Sequence, residues 1–372
     1  MGNLLSIVVP TKNRYFYLKH FVRLIRNFNN DDIELVIQDN SDDNSDFLSF
    51  LESLSYPSLK YFYQKESIPI SKNSDLAILN STGEYVCYMG DDDAVMPNIY
   101  DWVVWMKKNG VEALKSSNVI YYWPDSKPGK HINNSGRMIY QNYSKKIRMV
   151  DPPSALDAVL RQGCLNKGEI PLVYHGIVRR DVLDRCYEKT STFFPAPCPD
   201  IANGVAMSLL VEKYAIVDEP VILSGASMHH GGKSALKGKY LRLEDMHWMS
   251  DSEKSEWDSR LLRYGIAESI YANSTIMVLG RFNRLDLLGK LNFDRYYAWV
   301  LVNYPDLSQE VKSLTKPSLK LYVNYAYCLT RKLKNRIIDI LCYVLKKERN
   351  ASSAGPFETI NDAVKYLEKN NE

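Results

Sequence analysis

Short apolar runs alternate with helix-patterned segments over the first hundred residues. The run at 4–9 is apolar almost throughout and ends at Pro10, which is typical of a strand buried on both faces. Between such runs, apolar residues recur at helical spacing. The predicted strands are 4–9, 33–38, 59–64 and 84–89, and the predicted helices are 16–28, 47–51 and 71–80. This alternation predicts an α/β fold with a mostly parallel sheet and helices on both faces.

The pattern changes further along the chain. Residues 124–149 are polar and predict an irregular excursion over the active face. After about residue 235 helical patterning dominates. The predicted elements are helices at 98–109, 154–161, 178–186 and 200–212 and strands at 118–123 and 214–225. We therefore expect a catalytic domain over 1–235, with a nucleotide half (1–100) and an acceptor half (101–235), and a helical C-terminal region over 236–372.

Composition excludes several classes of protein. With 45% hydrophobic and 24% charged residues, the 372-residue chain is typical of a soluble globular protein. The formal charge of +3 is too small to indicate a nucleic-acid partner. The six cysteines form no CxxC pair, which favours a reducing, cytoplasmic compartment. No apolar stretch approaches the roughly 20 residues of a membrane-spanning helix, so we expect any membrane contact to be peripheral, at the inner face of the cytoplasmic membrane.

Polar residues follow three of the predicted strands. Ligands of such sheets bind outside the carboxyl ends of the strands, which directs attention to 11–14, 39–43 and 91–93. Three consecutive aspartates after a buried strand would repel one another without a cation, and carboxylates are preferred ligands of hard divalent ions. A helix cap is the alternative, but capping needs only one aspartate. The cluster therefore predicts a metal site that neutralises a phosphate leaving group.

Three segments in order resemble one known family. PTKNR (10–14), QDNS (38–41) and GEYVCYMGDDDAVMPN (83–98) resemble the signature of family 2 glycosyltransferases, which have the Rossmann-like GT-A fold. The resemblance covers about residues 4–100 and extends loosely to about 230. It implies a nucleotide-diphospho-sugar transferase that uses a UDP-sugar donor and Mn²⁺ or Mg²⁺ and inverts the anomeric centre. It also implies a saccharide or lipid-linked saccharide acceptor and a place in surface polysaccharide (O-antigen-type) biosynthesis.

The resemblance assigns donor-binding roles to individual residues. Asp39 would accept a hydrogen bond from the base, and the Lys72–Asn73 pair resembles the Arg–Asn element near the donor. The nucleotide site would be lined by Pro10, Thr11, Asn13 and Arg14. The alternative for Arg14 is a surface arginine at the start of a helix, and the alternative for Asp39 is an aspartate that stabilises a turn.

The register of the acidic motif departs from the family pattern. Aligned on Pro97, the first motif position falls on Gly90, so Asp91 would contact ribose and Asp92 the cation. A register with Asp91 and Asp93 as the DxD pair stays open. Asp93 is either a second metal ligand, an acceptor contact or a helix cap.

A glycine-rich segment at 224–234 contains two adjacent histidines and a lysine. It could close over a diphosphate, with His229 completing the metal shell. A surface turn is the alternative.

A general base is needed to deprotonate the acceptor hydroxyl. In the family this carboxylate lies well downstream, at the head of a helix. Asp200, delivered by a proline-rich loop to the start of the 200–212 helix, fits that description, although ordinary capping explains it nearly as well. Asp181 and Asp184 are weaker rivals. His175 is expected either to line the acceptor pocket or to be structural.

The segment 312–349 is strongly basic. It holds ten Lys or Arg against two acids, interleaved with Leu, Ile and Tyr. This pattern favours an amphipathic helix on an anionic membrane surface. A solvated helix packed on the catalytic domain is the alternative.

Two other functions fit the same broad pattern. A nucleotidyltransferase shares the fold and the acidic site, but it usually needs a glycine-rich loop after the first strand, and PTKNR has no glycine. A non-catalytic scaffold on a transferase fold is disfavoured by the intact acidic residues at 39, 91, 92 and 200.

Overall fold

A computed structural model of the chain describes residues 2–126, 135–228, 240–345 and 352–371. The strands are β1 (Leu5–Thr11), β2 (Ile33–Asp39), β3 (Leu59–Tyr63), β4 (Tyr85–Tyr88), β5 (Ala94–Val95), β6 (Ala113–Tyr122), β7 (Met138–Tyr140), β8 (Ile147–Val150), β9 (Gly176–Arg179), β10 (Tyr214–Ala226) and β11 (Ser352–Ala354). The α-helices are α1 (Tyr15–Arg26), α2 (Ser45–Glu52), α3 (Ile70–Leu79), α4 (Ile99–Asn109), α5 (Pro152–Arg161), α6 (Arg180–Thr190), α7 (Pro199–Leu210), α8 (Asp251–Ser255), α9 (Ala267–Arg281), α10 (Phe293–Asn303), α11 (Ser308–Leu314), α12 (Leu319–Leu345) and α13 (Ile360–Asn371).

One mixed sheet organises the molecule. Its main path runs β11-β7-β6-β9-β4-β1-β2-β3, and β10 lies off this path against β5, β6 and β8. Strands β1 to β4 form a parallel block in which Leu5 pairs with Ile33 on one side and Tyr85 on the other. Strand β9 is antiparallel to its neighbours β4 and β6. The predicted α/β class and helical C-terminal region are confirmed. The prediction of a mostly parallel sheet holds only for the block β1 to β4, because six of the ten strand pairings among the described residues are antiparallel.

The central strands are buried because helices cover both faces of the sheet. Neighbouring residues of β1 enter different cores, Val8 on the face packed by Ala77 of α3 and Ile7 on the face packed by Phe21 of α1. All four side chains are fully buried. Burying a side chain of this size contributes roughly 1.5–3 kcal/mol, so each uninterrupted apolar run stabilises two layers at once.

Several predicted boundaries differ from the structure. The helix predicted at 178–186 begins at Arg180, because 176–179 form the antiparallel strand β9, whose four residues give too short a pattern to separate from a helix. The polar excursion at 124–149 contains β7 and β8, while 127–134 lie outside the described residues. Both strands pair with distant strands, which local sequence does not reveal.

The C-terminal region shares cores with the residues before it. Leu156 and Val205 lie in the same hydrophobic cluster as Val278 and Tyr296. Strand β11 pairs antiparallel with β7, and Leu367 of α13 is buried with Trp123 near the acidic loop. The predicted boundary near 235 thus marks a change in secondary structure with no break in packing among the described residues. The assignment of separate halves and regions stays a prediction.

Helix α12 packs on α10 along one side only. Leu321 and Cys328 are buried, whereas Leu333, Ile337 and Ile340 are each more than half exposed. Within the part of the chain that the structure describes, no helix combines the length and apolar character required to cross a bilayer.

Candidate active site

The predicted polar segments meet at one edge of the sheet. Thr11 at the end of β1 pairs with Asp39 at the end of β2, and the aspartate cluster follows β4 on the other side of β1. Parallel strands bring their carboxyl ends to the same edge, so residues from 11, 39 and 91 become neighbours in space.

Arg14 lies across the first two aspartates. Its Nε is 2.9 Å from Oδ1 of Asp91, and its Nη2 is 2.7 Å from Oδ2 of Asp92. Thr11 Oγ1 donates to Asp91 at 2.7 Å, and Ser227 Oγ donates to Asp92 at 2.6 Å. Burial raises the pKa of Asp91 to about 7, although the Arg14 charge acts in the opposite direction. The positive charge of Arg14 therefore offsets part of the cost of burying the Asp91 and Asp92 carboxylates.

The backbone of the acidic loop is fixed from behind. Trp123 Nε1 donates to the carbonyl oxygen of Asp92 at 2.9 Å, and the Trp123 ring packs edge-on against Tyr17. The Arg14 guanidinium lies 5.1 Å from the centre of that Tyr17 ring. Gly225 of β10 passes so close that a Cβ there would lie 1.7 Å from the Asp92 oxygen. Only glycine permits this approach of β10 to the loop.

Asp93 is turned into the protein. Its Oδ2 accepts from the Gly90 N–H at 2.7 Å and lies 2.6 Å from His175 Nε2, while its Oδ1 accepts from the Gly225 N–H at 2.8 Å. The residue is 1% exposed. Helix α4 has Asn98 at its N-cap with no side-chain cap, so Asp93 does not serve the capping role considered above.

Asp39 is fully buried at the end of β2. Its Oδ2 accepts from the phenols of Tyr15 at 2.6 Å and Tyr61 at 2.7 Å, and its Oδ1 accepts from the Ser41 N–H at 2.8 Å. Burial, reinforced by the hydrogen bond to Asp39, raises the pKa of both phenols. The carboxylate is thus satisfied by protein groups, and its contact with a base stays a prediction.

Asn13 joins the loops that follow β1 and β2. It has a positive φ of 58°, a conformation that asparagine tolerates better than most residues. Its backbone N–H donates to Ser41 Oγ at 2.7 Å, and its side chain exchanges two hydrogen bonds with Asp42, at 2.8 and 3.0 Å. These contacts make Asn13 a link between the two strand ends.

The remaining predicted donor residues differ in position. Asn73 is buried, and its amide donates to the carbonyls of Thr11 at 3.4 Å and Gln38 at 3.3 Å, which ties α3 to two strand ends. Pro10 is partly exposed within β1, and Lys72 is exposed on α3. Of the predicted Lys72–Asn73 pair, therefore, only Asn73 forms hydrogen bonds at the carboxyl edge of the sheet within the described residues.

Asp200 lies in the first turn of α7. Its Oδ2 forms an ion pair with Lys167 Nζ at 2.9 Å, and each side chain is about one-third exposed, at 33% and 35%. It makes no side-chain cap. Lys167 Nζ lies 5.9 Å from the centre of the Tyr174 ring, which stacks on His175 at 3.9 Å. A continuous set of contacts therefore joins Asp200 to Asp93. The rival Asp181 is paired with Arg179 at 2.5 Å.

The described residues contain no group of three His, Cys, Asp or Glu side chains that is arranged to hold a metal ion. His229, the predicted third ligand, lies outside the described residues. Asp92 Oδ1 receives no hydrogen bond from the part of the chain described here. Magnesium-like ions often take one or two carboxylates and complete their shell with substrate phosphates and water. Asp92 fits such a shared site, whereas the engaged oxygens of Asp93 do not.

Sequence reasoning missed several side chains that shape the site. Ser227 directly follows β10, so the rule that directs attention to strand ends could have found it. Tyr15, Tyr61, Trp123 and Lys167 carry no comparable local signal, because each acts through a partner distant in the chain.

Comparisons with known proteins agree with this architecture. Residues 6–162 match the family described as Glycosyl transferase family 2. No curated protein sequence matches the chain. Residues 1–349 of TarS from S. aureus, solved with UDP-GlcNAc, superpose with a TM-score of 0.51 at 14% identity, covering 90% of this chain and 92% of that one. The same TarS fragment with UDP gives 0.42 at 13% identity, covering 90% and 92%. The mannosyltransferase PcManGT from Pyrobaculum calidifontis, with GDP-Man and Mn²⁺, gives 0.38 at 14% identity, covering 90% and 87%.

The raised pKa of Asp91 predicts a specific pH dependence of stability. Between pH 4 and about 7 the folded state holds a proton on Asp91 that the unfolded chain releases, so this residue lowers the free energy of unfolding as pH rises. We expect Asp91→Asn to abolish that component. Urea unfolding at several pH values should show the wild type losing stability relative to the variant from pH 4 to 7.

The exposed Asp306→Asn variant is the matched control, because it removes the same charge away from any buried cluster. A stability difference between wild type and Asp91→Asn that stays constant from pH 4 to 8 would contradict the account.

Proposed function

We propose that this glycosyltransferase, whose residues 6–162 match the Glycosyl transferase family 2 model, transfers a sugar from a nucleotide-diphosphate donor, a UDP-sugar, to a saccharide or lipid-linked saccharide acceptor. We place this reaction in surface polysaccharide biosynthesis, in line with the resemblance of the sequence motifs. The observation that carries the donor proposal is the convergence of Thr11, Arg14, Asp91 and Asp92 at one sheet edge inside the family domain.

The strand-end loops supply the chemistry that a sugar nucleotide requires. Asp91 offers an acceptor to ribose hydroxyls, and the Arg14 guanidinium offers a cation to the diphosphate. Asn13 and Asn73 hold the ends of β1 and β2 together, so the nucleotide would meet a preformed surface. Residues 1–349 of TarS, which share the fold of this chain, were solved with UDP-GlcNAc, and this is the reason for choosing a uridine nucleotide in the proposal.

A divalent cation, Mn²⁺ or Mg²⁺, belongs to the proposal. Asp92 would hold it, with the diphosphate completing the shell, and the ion would stabilise the charge that develops on the leaving diphosphate. Because both oxygens of Asp93 already accept hydrogen bonds, we assign Asp93 to positioning the loop and His175 and leave it out of the ligand set. The role of His229 stays a prediction.

Asp200 is the proposed general base of an inverting reaction. The acceptor oxygen would form a bond to the anomeric carbon as the bond to the diphosphate breaks, and Asp200 would take the hydroxyl proton. Support comes from its place at the head of α7 and from its continuity with the acidic loop through Lys167, Tyr174 and His175. The ion pair with Lys167 fixes the position of the Asp200 carboxylate at the head of α7.

Peripheral attachment to the inner face of the cytoplasmic membrane is a further part of the proposal. Helix α12 exposes Leu333, Ile337, Ile340 and Val344, and Lys334 and Arg336 lie beside this apolar surface. Apolar burial at the headgroup boundary together with cationic flanks is the usual basis for binding anionic membranes. A lipid-linked acceptor would be presented at that surface.

Turnover with a panel of nucleotide sugars tests the proposed reaction. We expect Mn²⁺- or Mg²⁺-dependent release of UDP from one UDP-sugar, and a loss of roughly 100-fold or more in kcat for Asp92→Ala, the scale on which one transition-state charge contact acts. Asp101→Ala, an exposed aspartate on α4, is the control and should keep wild-type turnover. Full metal-dependent turnover in Asp92→Ala, or no turnover and no stabilisation by any nucleotide sugar, would contradict the proposal.

Co-sedimentation with lipid vesicles tests the membrane contact. We expect binding to phosphatidylglycerol vesicles that weakens with salt, and a several-fold loss when Ile337 and Ile340 are both changed to Ser, because their exposed side chains supply apolar burial. Val104→Ser removes an exposed apolar side chain on α4 and should have no effect. Unchanged binding of the double variant, or equal binding to phosphatidylcholine vesicles, would rule out this surface.

A further inference from the structure

A polar cavity lies away from the carboxyl edge of the sheet, where the end of α5 meets α10 and α12. Its volume is about 380 Å³, and its walls include Arg295 and Trp299 of α10 and Tyr327, Cys328 and Arg331 of α12. Leu165 borders it from the loop after α5, the same loop that supplies Lys167 to Asp200. None of the donor-site residues at the sheet edge lines this cavity.

Arg295 is held in a fixed orientation without a charge partner. Its guanidinium carbon lies 3.8 Å from the centre of the Tyr327 ring, a stacked cation–π contact. Its Nε is buried and has no hydrogen-bond partner within the described residues. A guanidinium stacks on an aromatic ring through its flat face, so the N–H groups at its edge stay available to donate hydrogen bonds. A buried donor without an acceptor is costly, so this edge is a place where a ligand oxygen would be favourable.

A second guanidinium approaches the same point. Arg331 lies one helical turn beyond Tyr327 and Cys328 on α12, so the three side chains share one face of the helix. Arg295, Cys328 and Arg331 all line the cavity. In agreement with this, burial raises the pKa of Cys328, whereas the charges of both arginines and a hydrogen bond from Arg295 act to lower it.

Arg295 and Arg331 differ from several other arginines of the protein in having no carboxylate partner among the described residues. Arg14 lies within ion-pair distance of two aspartates, and Arg179 pairs with Glu112 and Asp181. Within the described ranges no carboxylate comes within 4.0 Å of Arg295 or Arg331. The cavity therefore concentrates positive charge that the protein itself does not neutralise.

We propose that this cavity binds a phosphate group, as a monoester or diester, between the guanidinium groups of Arg295 and Arg331. Planar guanidinium forks match phosphate oxygens, and two of them with no competing carboxylate favour a dianion or a bridging diester. Trp299 and Tyr327 would pack against the apolar carbons attached to the phosphate. The phosphate comes either from a membrane lipid headgroup, since the cavity opens beside α12, or from a phosphate-bearing acceptor, since its loop also carries Lys167.

Calorimetric titration with inorganic phosphate tests the site without relying on turnover. We expect Arg331→Gln and Arg295→Gln each to weaken phosphate binding about ten-fold or more, which corresponds to about 1.4 kcal/mol. Lys108→Gln removes the same charge from an exposed position on α4, outside the cavity, and should change the affinity less than two-fold. Arg331 is exposed, so its substitution should leave the fold intact even if Arg295→Gln lowers the melting temperature.

Unchanged phosphate affinity in Arg331→Gln, or an equal loss in Lys108→Gln, would overturn the proposal and show that phosphate responds only to the overall charge of the protein. The source of the phosphate follows from a second titration with phosphatidylglycerol vesicles and soluble glycerol phosphate. A loss of vesicle binding in Arg331→Gln that exceeds the loss in Lys108→Gln supports a lipid headgroup. A loss confined to glycerol phosphate supports a soluble phosphate-bearing acceptor. UDP-sugar turnover of the same variants, measured in parallel, separates failure of this site from failure of the donor site.

Discussion

Three adjacent carboxylates at the end of a buried strand are the constraint on which the rest of the site depends. Asp91, Asp92 and Asp93 are each no more than 5% exposed, so their mutual repulsion is not relieved by water. The Arg14 guanidinium pairs with both Asp91 and Asp92. Asp93 is contacted by two backbone N–H groups and by His175. Arg14, Gly225 and His175 come from three different segments, and the acidic loop consequently ties those segments together.

These partners explain the tight geometry around the loop. Arg14 is the N-cap residue of α1, shortly after the end of β1. Ser227 follows β10, and Gly225 approaches the Asp92 carbonyl without space for a side chain. Trp123 seals the loop from behind, and α13 packs on the same aromatic cluster. The last described residues of the chain are thus part of the support of the acidic loop. A cation bound at Asp92 would bring a second positive charge close to Arg14. Binding of the donor and the cation would therefore replace the ion pairs that Arg14 makes with Asp91 and Asp92.

The sequence predicts an element well where its pattern of apolar residues directly reflects its burial in the fold. Uninterrupted apolar runs predicted β1, β2 and β4 because these strands are buried on both faces, and the strand-end rule led from them to Thr11, Arg14, Asp91 and Asp92. It was not informative where a side chain is defined by a distant partner. The bond between Asp93 and His175 spans 82 residues, and that between Asp39 and Tyr61 spans 22. Likewise, β9 is too short to show a period, and Lys167 became meaningful only once α7 placed Asp200 beside it.

The most direct test of the central claim is hydrogen exchange measured by mass spectrometry with and without UDP and Mn²⁺. If the sheet edge is the donor site, added nucleotide and metal should slow exchange at 10–14, 38–41, 90–93 and 225–227, the segments joined by Arg14 and the acidic loop. Protection confined to other segments, with nucleotide binding confirmed independently by thermal shift, would contradict the account.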